Sequence, residues 1–462
     1  MKKNYAIIFI AVCMVLCLIP SLGMLFFPTT QTTENRAMAE APKLLTEDGS
    51  LNKSFIQDFE SYFTEHIALR NPMIFMDAKI QAGIFGESNV SGVISGTDGW
   101  LYYASTLSDY QGQDVLSERA LTNLAHNFSL VQAYLEAKGV DFLLTIAPNK
   151  NTLYGENMPY YKSTIVNSDH SAKLLKSYLE AESVQYLDLF QLFEEQEEIL
   201  YMKTDSHWNM KGACLAYNGI LDALAIPHEN YATQTPTAVK TSGGDLNKML
   251  YSFYGKEDTD YAYDLVCDYT YTTGTNVEDG WIVTENAAGQ GSVLMFRDSF
   301  GNTLIPFFSS HFQTAYYSKG EPNALERYLE TNPVDCVVME KVERNIANYL
   351  NNPPILTAPT TELPNILTIA NTETTLKVEE CMNDINYYKF TGTVDPYRMQ
   401  LDSQILVSVG GTVYQAYHTG SGTDFCLYLK KDAVQETSVQ VEVYVQRGIK
   451  CLQALSTTVD LP

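Results

Sequence analysis

A helical stretch at 118–138 runs into Gly139, and the run Val-Asp-Phe-Leu-Leu-Thr-Ile-Ala at 140–147 follows at once. No other feature narrows the fold as much. A nearly continuous apolar strand has to be covered on both faces, and a helix beside it is the usual cover. The order recurs: a helical stretch at 171–181 precedes a strand at 184–190, and short apolar strands are expected at 292–296 and 334–339. Helices alternating with such strands define an α/β fold around a largely parallel sheet. Ligands in these sheets sit beyond the carboxyl ends of the strands. Asn149, Lys150, Ser299 and Glu340 each come just after an expected strand, which places them on one rim.

From Thr361 the pattern changes. Period-two alternation takes over, most clearly in Ser438-Val439-Gln440-Val441-Glu442-Val443-Tyr444-Val445-Gln446. Four valines fall on one face of a strand, and β-branched residues suit strands. Gly410-Gly411 and Gly420-Ser421-Gly422 punctuate the region. We read 361–462 as a separate β-sandwich, an accessory module of carbohydrate-binding type, joined through Asn351-Asn352-Pro353-Pro354.

At the other end, Lys2 and Lys3 precede an uncharged apolar run over 5–27. That is longer than a signal-peptide core and long enough to span a bilayer. The expectation is an uncleaved signal anchor over 1–30, with the lysines inside and the rest exported. Pro20 is tolerated in such a span. Ser21-Leu22-Gly23 leaves a cleaved signal peptide, and hence secretion, as the alternative. Residues 28–42 read as a linker. Phe55, Phe59, Tyr62, Phe63 and Ile67 have helical spacing, and Gly96-Thr97-Asp98-Gly99 reads as a turn entering a strand. A net charge of −25 argues against nucleic acid as a partner, because phosphate binding needs clustered Lys and Arg, and suits a soluble exported protein. The cysteines form no C-x-x-C pair, which excludes the usual zinc-finger spacings. A disulfide among Cys381, Cys426 and Cys451 stays open, whereas Cys214 and Cys336 read as buried thiols.

Chemistry concentrates in two segments, Thr204-Asp205-Ser206-His207-Trp208-Asn209 and Arg297-Asp298-Ser299-Phe300-Gly301-Asn302. The second puts a serine on a strand-to-helix turn, where backbone N–H groups can face a developing oxyanion. The first offers a histidine base with an aspartate two residues earlier to orient it. Taken singly, Ser299 is a helix cap, His207 a structural histidine and Asp205 a loop residue. Taken together they are a candidate Ser-His-Asp triad, which is defined by geometry and not by chain order. Weaker candidates are Asn149 as an oxyanion donor, Lys150 as a substrate contact, Trp208 as a sugar-stacking ring, and a rim ion pair between Glu340 and Arg344. Asp298 would fix the turn. Each has a plain structural alternative.

The two segments resemble the DHHW proteins of Gram-positive bacteria, relatives of the alginate O-acetyltransferase proteins in the SGNH hydrolase superfamily. Further pieces of the resemblance are Glu34-Asn35-Arg36, Asp98-Gly99-Trp100-Leu101, Pro148-Asn149-Lys150 with Tyr154 and Pro159, and Gly244-Asp245-Leu246. Ser206 stands where the family's first histidine would be. The resemblance implies an SGNH-hydrolase-like three-layer α/β/α domain over 31–356, with Ser299 as nucleophile, His207 as base and Asp205 as the third member. It departs from ordinary SGNH enzymes in order, since Asp-x-His precedes the serine, and in spacing, since those enzymes carry Asp-x-x-His. It implies no cofactor and no metal. Its implied partners are a cell-surface glycan and a membrane-bound O-acyltransferase that supplies acyl groups across the bilayer.

The leading expectation is therefore a membrane-anchored, exported O-acetyltransferase of a cell-surface polysaccharide, working through an acyl-enzyme. An esterase of the same fold differs only in using water as acceptor. Two other classes are weighed: a metal-dependent hydrolase with Asp205 and His207 as ligands, which lacks a third ligand at helical spacing, and a non-catalytic glycan-binding or assembly protein.

Overall fold

The computed structural model describes residues 2–30, 38–45, 50–80, 90–251, 257–265, 268–363, 365–368, 373–434 and 436–462. At its centre lie β1 (Asp141–Ala147), β2 (Tyr186–Leu187), β3 (Thr270–Thr273), β4 (Trp281–Glu285), β5 (Ser292–Phe296), β6 (Thr314–Ser318) and β7 (Cys336–Val342). Across the sheet their order is β2-β1-β7-β5-β6-β4-β3. The first five in that order are parallel. β4 and β3 add antiparallel at one edge, so the sheet is mixed.

Alternation along the strands builds two cores. Phe142, Leu144, Ile146, Leu294, Phe296, Val337 and Met339 pack on one face. Leu143, Ala147, Val293, Met295 and Val338 pack on the other. The first face is covered by α2 (Glu118–Glu136) and α3 (Ser171–Ala181), the second by α4 (Met210–Ala223) and α5 (Ile305–His311). The result is a three-layer α/β/α domain. Ser117 starts α2 by accepting a hydrogen bond from the Ala120 N–H at 3.2 Å, and Gly139, at φ +71°, turns the chain into β1.

Two expected strands end elsewhere. The strand at 184–190 shrinks to β2, because Asp188 accepts from the Gln191 N–H and caps a helix, Leu189–Glu194. The strand at 334–339 runs on through Glu340 and Lys341 to Val342, so Glu340 lies inside β7 and is buried. The α3 and β5 bounds match the expectation.

The C-terminal strands form a β-sandwich. One sheet contains Ser438–Arg447 between Lys450–Asp460 and Gln404–Val409, and the other contains Tyr387–Thr393 and Asp424–Lys430. Val439, Val441, Val443 and Val445 all enter the core between the sheets, with Phe390, Leu427 and Leu429. Tyr444 is buried as well, on the opposite face with Leu406 and Cys451. Pro353 to Leu356 are buried instead of forming an open linker. Tyr387, Tyr417, Cys426 and Tyr428 share a core with Phe128 and Val131 of α2. Asn127 bonds both backbone groups of His418, at 2.7 and 2.9 Å.

Near the N-terminus, α1 (Lys2–Gly23) contains Pro20, and its stretch Tyr5–Gly23 is long and apolar enough to cross a membrane. The aromatic helix expected at 54–67 is Phe55–His66. Cys381, Cys426 and Cys451 are free and buried, as are Cys214 and Cys336. Glu34, Asn35, Arg36 and Cys267 lie outside the described residues.

Candidate active site

The two segments meet at the carboxyl end of the sheet. Ser299 follows β5, and its Oγ lies 2.8 Å from His207 Nε2. His207 Nδ1 lies 2.6 Å from Asp205 Oδ1. A neutral imidazole with its proton on Nδ1 donates to Asp205 and accepts from the serine hydroxyl. The His207 and Asp205 side chains keep 23% and 18% of their exposure, so the group is reachable from solvent.

Every residue of the first segment has a local task. The Thr204 N–H and Oγ1 both donate to Asp258 Oδ2 at 2.7 Å, which pins the loop. Asp205 accepts the His207 N–H at 3.0 Å and the Asp245 N–H at 2.9 Å. Asn209 caps α4 by accepting from the Lys211 and Gly212 N–H groups. Gly244 passes so close that a Cβ there would meet Asp205 Cβ at 2.3 Å. Around Ser299, Asp298 Oδ1 accepts the Phe300 N–H at 2.9 Å and its Oδ2 accepts the Val342 N–H at 2.8 Å. Asp298 thus fixes the turn and latches it to the end of β7.

Electrostatics sharpen the pair. Burial pushes the Asp205 carboxyl up, but the His207 side chain and two backbone N–H groups outweigh it and hold Asp205 well below the usual carboxylate range. Burial pushes His207 down, yet the Asp205 hydrogen bond and the charges of Asp205 and Asp245 outweigh it, and its net direction is up. Asp245 is a second carboxylate beside the imidazole, with Oδ2 at 3.8 Å from Nδ1 and at 2.5 Å from Ser206 Oγ. Burial and the Asp205 charge raise its pKa.

The weaker candidates land differently. Trp208 is 1% exposed, its indole N–H donates to Thr303 Oγ1 at 2.5 Å, and its ring meets Phe300 and Phe193 edge-on. No face is open for a sugar, so stacking gives way to packing. Lys150 is buried, and its Nζ donates to the carbonyls of Met202, Lys203 and Asp205 at 3.1, 3.1 and 2.5 Å. Burial lowers its pKa to about 7. It holds the Asp205 loop and does not face substrate. Asn149 is fully buried; its Nδ2 donates to Asp109 Oδ2 at 2.9 Å and its Oδ1 accepts from Arg344 at 3.3 Å. Both ends of its amide are engaged, so its observed bonds tie Asp109 to Arg344. The Glu340–Arg344 pair does not form among the described residues. Glu340 lies behind the Ser299 turn and accepts the Asp298 N–H at 3.0 Å.

Asp245 is the residue the sequence reading passed over. It stood only in Gly244-Asp245-Leu246, and no local signal ties a residue so distant in sequence to the histidine. It completes a cluster with Asp205 and His207 whose ligand atoms lie within 4.8 Å of one another, a spacing a metal ion can use. Both imidazole nitrogens and the Asp205 oxygens are, however, already in hydrogen bonds that an ion would have to displace.

Residues 93–287 match the family model described as the SGNH hydrolase-like domain of the acetyltransferase AlgX. The match includes Asp205 and His207 and stops short of Ser299. The chain is 24% identical over 180 residues to the probable alginate O-acetylase AlgJ of Pseudomonas fluorescens, covering 38% of this chain and 44% of that protein. It is 26% identical over 210 residues to the AlgJ of Pseudomonas syringae pv. tomato, covering 43% and 51%. The chain thus spans about half the length of the curated relatives it matches. Among solved structures, Bacillus cereus PatB1 aligns with a TM-score of 0.43 at 18% identity, over 55% of this chain and 96% of that one. A DHHW family protein from Eubacterium siraeum aligns at 0.38 and 17%, over 48% and 85%.

Proposed function

We propose that this protein is an exported O-acetyltransferase of a cell-surface polysaccharide. Ser299 is the nucleophile, His207 the general base and Asp205 the residue that orients it. The observation that carries the reading is the hydrogen-bonded line Asp205–His207–Ser299 at the carboxyl end of the sheet in an SGNH-like domain. In the first step His207 takes the Ser299 proton as Oγ attacks the acyl carbon, and an acyl-enzyme forms. In the second a sugar hydroxyl, deprotonated by the same imidazole, accepts the acyl group. The curated relatives are named probable alginate O-acetylase AlgJ, which supports a polysaccharide acceptor. The stretch Tyr5–Gly23 serves as a membrane anchor that keeps the site near a membrane-bound acyl supplier. The region 361–462 acts as an accessory domain for glycan.

The test is covalent. A sulfonyl fluoride or fluorophosphonate should label wild-type protein at Ser299, with acetyl transfer from p-nitrophenyl acetate to an oligosaccharide read by mass. Hydrolysis without transfer would make the protein an esterase. An unlabelled, inactive wild type, assayed with its membrane supplier present, would leave the glycan-binding reading. Asp245 supplies the third ligand that the metal reading lacked. Loss of activity on chelation, restored by a divalent ion, would therefore favour that reading over the triad.

A further inference from the structure

The proposed acyl transfer needs at least two donors for the carbonyl oxygen as it becomes negative, and the backbone around Ser299 offers one. The Phe300 N–H is held by Asp298 Oδ1. The Gly301 N–H is held by Glu340. The Ser299 N–H alone has no partner among the described residues. A second donor must come from a side chain. Asn149 is fully buried between Asp109 and Arg344, and Lys150 is buried under the loop.

Arg344 meets the requirement. Its backbone lies two residues beyond Val342, which Asp298 latches to the Ser299 turn at 2.8 Å. Its guanidinium carbon sits 5.8 Å from the centroid of the Phe300 ring and 5.3 Å from that of Tyr103. His207 stands against the same Phe300 ring, with centroids 4.8 Å apart. The guanidinium charge also reaches His207, whose pKa it lowers. One nitrogen, Nη1, is tied to Asn149, and Asn149 is itself oriented by Asp109. Among the described residues no carboxylate pairs with Arg344, and the side chain is half-buried. A planar cation is thus held by neutral groups beside the Phe300 ring that His207 also touches, with N–H donors to spare.

We propose that Arg344 is a catalytic residue whose guanidinium, with the Ser299 N–H, holds the acyl carbonyl oxygen in the tetrahedral intermediate. This rests on the acyl-transfer reading above. Ser299 Oγ bonds to the acyl carbon, its proton passes to His207 Nε2, and the carbonyl π pair moves onto the oxygen facing Arg344. Return of that pair re-forms the carbonyl and expels the donor's leaving group, p-nitrophenolate for p-nitrophenyl acetate.

The experiment compares wild type, Arg344→Gln, Arg344→Ala and Ser299→Ala with p-nitrophenyl acetate, after matching their melting temperatures. Arg344→Ala should lower kcat by about 10²-fold or more, with KM little changed. Its acid limb in kcat/KM should move to higher pH, because the charge that lowers the His207 pKa is gone. Arg344→Gln, which keeps an N–H donor, should recover part of kcat but not the pH limb. Unchanged kcat in both variants, or a change confined to KM for p-nitrophenyl acetate, overturns the assignment. If Ser299→Ala keeps wild-type activity, the acyl-enzyme reading itself falls, and that outcome is read separately from any Arg344 result.

Discussion

Ser299 and His207 are a pair only because the fold makes them one. Their residue types and the Asp-x-His spacing were legible in the sequence, as was the strand-to-turn setting of the serine. What each weaker candidate touches was not. Trp208, Lys150 and Asn149 all sit in the right neighbourhood, but their burial depends on partners distant in sequence: Thr303, the loop carbonyls and Asp109. Ser299→Ala should abolish acyl transfer, and His207→Ala should cost about as much. The double variant should be scarcely worse than either, since nucleophile and base act as a unit. Hydrolysis of p-nitrophenyl acetate measures all three. The pH profile follows from the raised His207 pKa: the base must be neutral, so kcat/KM should fall as pH drops, with a midpoint above the ordinary 6.5. Asp205→Asn removes the hydrogen bond and charge that raise it, so the midpoint should move down while kcat falls.

At the scale of elements, the site is a junction between a sheet end and one tethered loop. Lys150 opens a short helix after β1 and gathers three carbonyls of the loop that holds Asp205. Lys150→Met keeps the bulk and removes the donors, leaving carbonyls unsatisfied at about 1–3 kcal/mol for each one buried. Its expected signature is a lowered melting temperature together with loss of the downfield Nδ1–H proton resonance of His207, observed by NMR. Trp208→Ala, which empties a site between Phe193 and Phe300, should cost about 3–5 kcal/mol in denaturant unfolding. Element types were mostly readable, because apolar runs and helical spacing are local properties. Ends were not. Nothing in 184–190 except Asp188 marks the early end of β2, and two charged residues within β7 hid its length. The place of β7 between β1 and β5 is likewise a tertiary fact.

Across the whole molecule, the β-sandwich is docked on α2 and not strung from it. The change of period near 361 announced the sandwich, while its attachment through Asn127, His418 and a shared core had no sequence signal. His126 and His418 face each other edge-on in that contact, with centroids 5.0 Å apart. Burial lowers the His126 pKa from 6.5 to about 4, and burial together with His126 and Arg119 lowers His418 as well. Arg119 is the cation facing the pair. Both imidazoles are neutral in the fold and take up protons more readily when released. The stability they lend is therefore complete above about pH 6.5 and is lost as pH falls through their folded values. Hydrogen exchange should show strand Tyr417–Thr419 opening at pH 4.5 well before β5, while at pH 7.5 both are protected. His418→Leu should flatten that difference. Equal protection of the two strands at pH 4.5 in the wild type would remove the histidine pair as the cause.

The late arrival of β7 has a further meaning for a chain that is made N-terminus first. Asp205, His207 and Ser299 all emerge before residues 336–342, yet the latch from Asp298 to the Val342 N–H cannot close until that last strand slides between its two neighbours. A chain still being made therefore carries Ser299 on an unformed turn. The line Asp205–His207–Ser299 is withheld until most of the polypeptide has been made, so the order of the strands itself works as a timer on maturation.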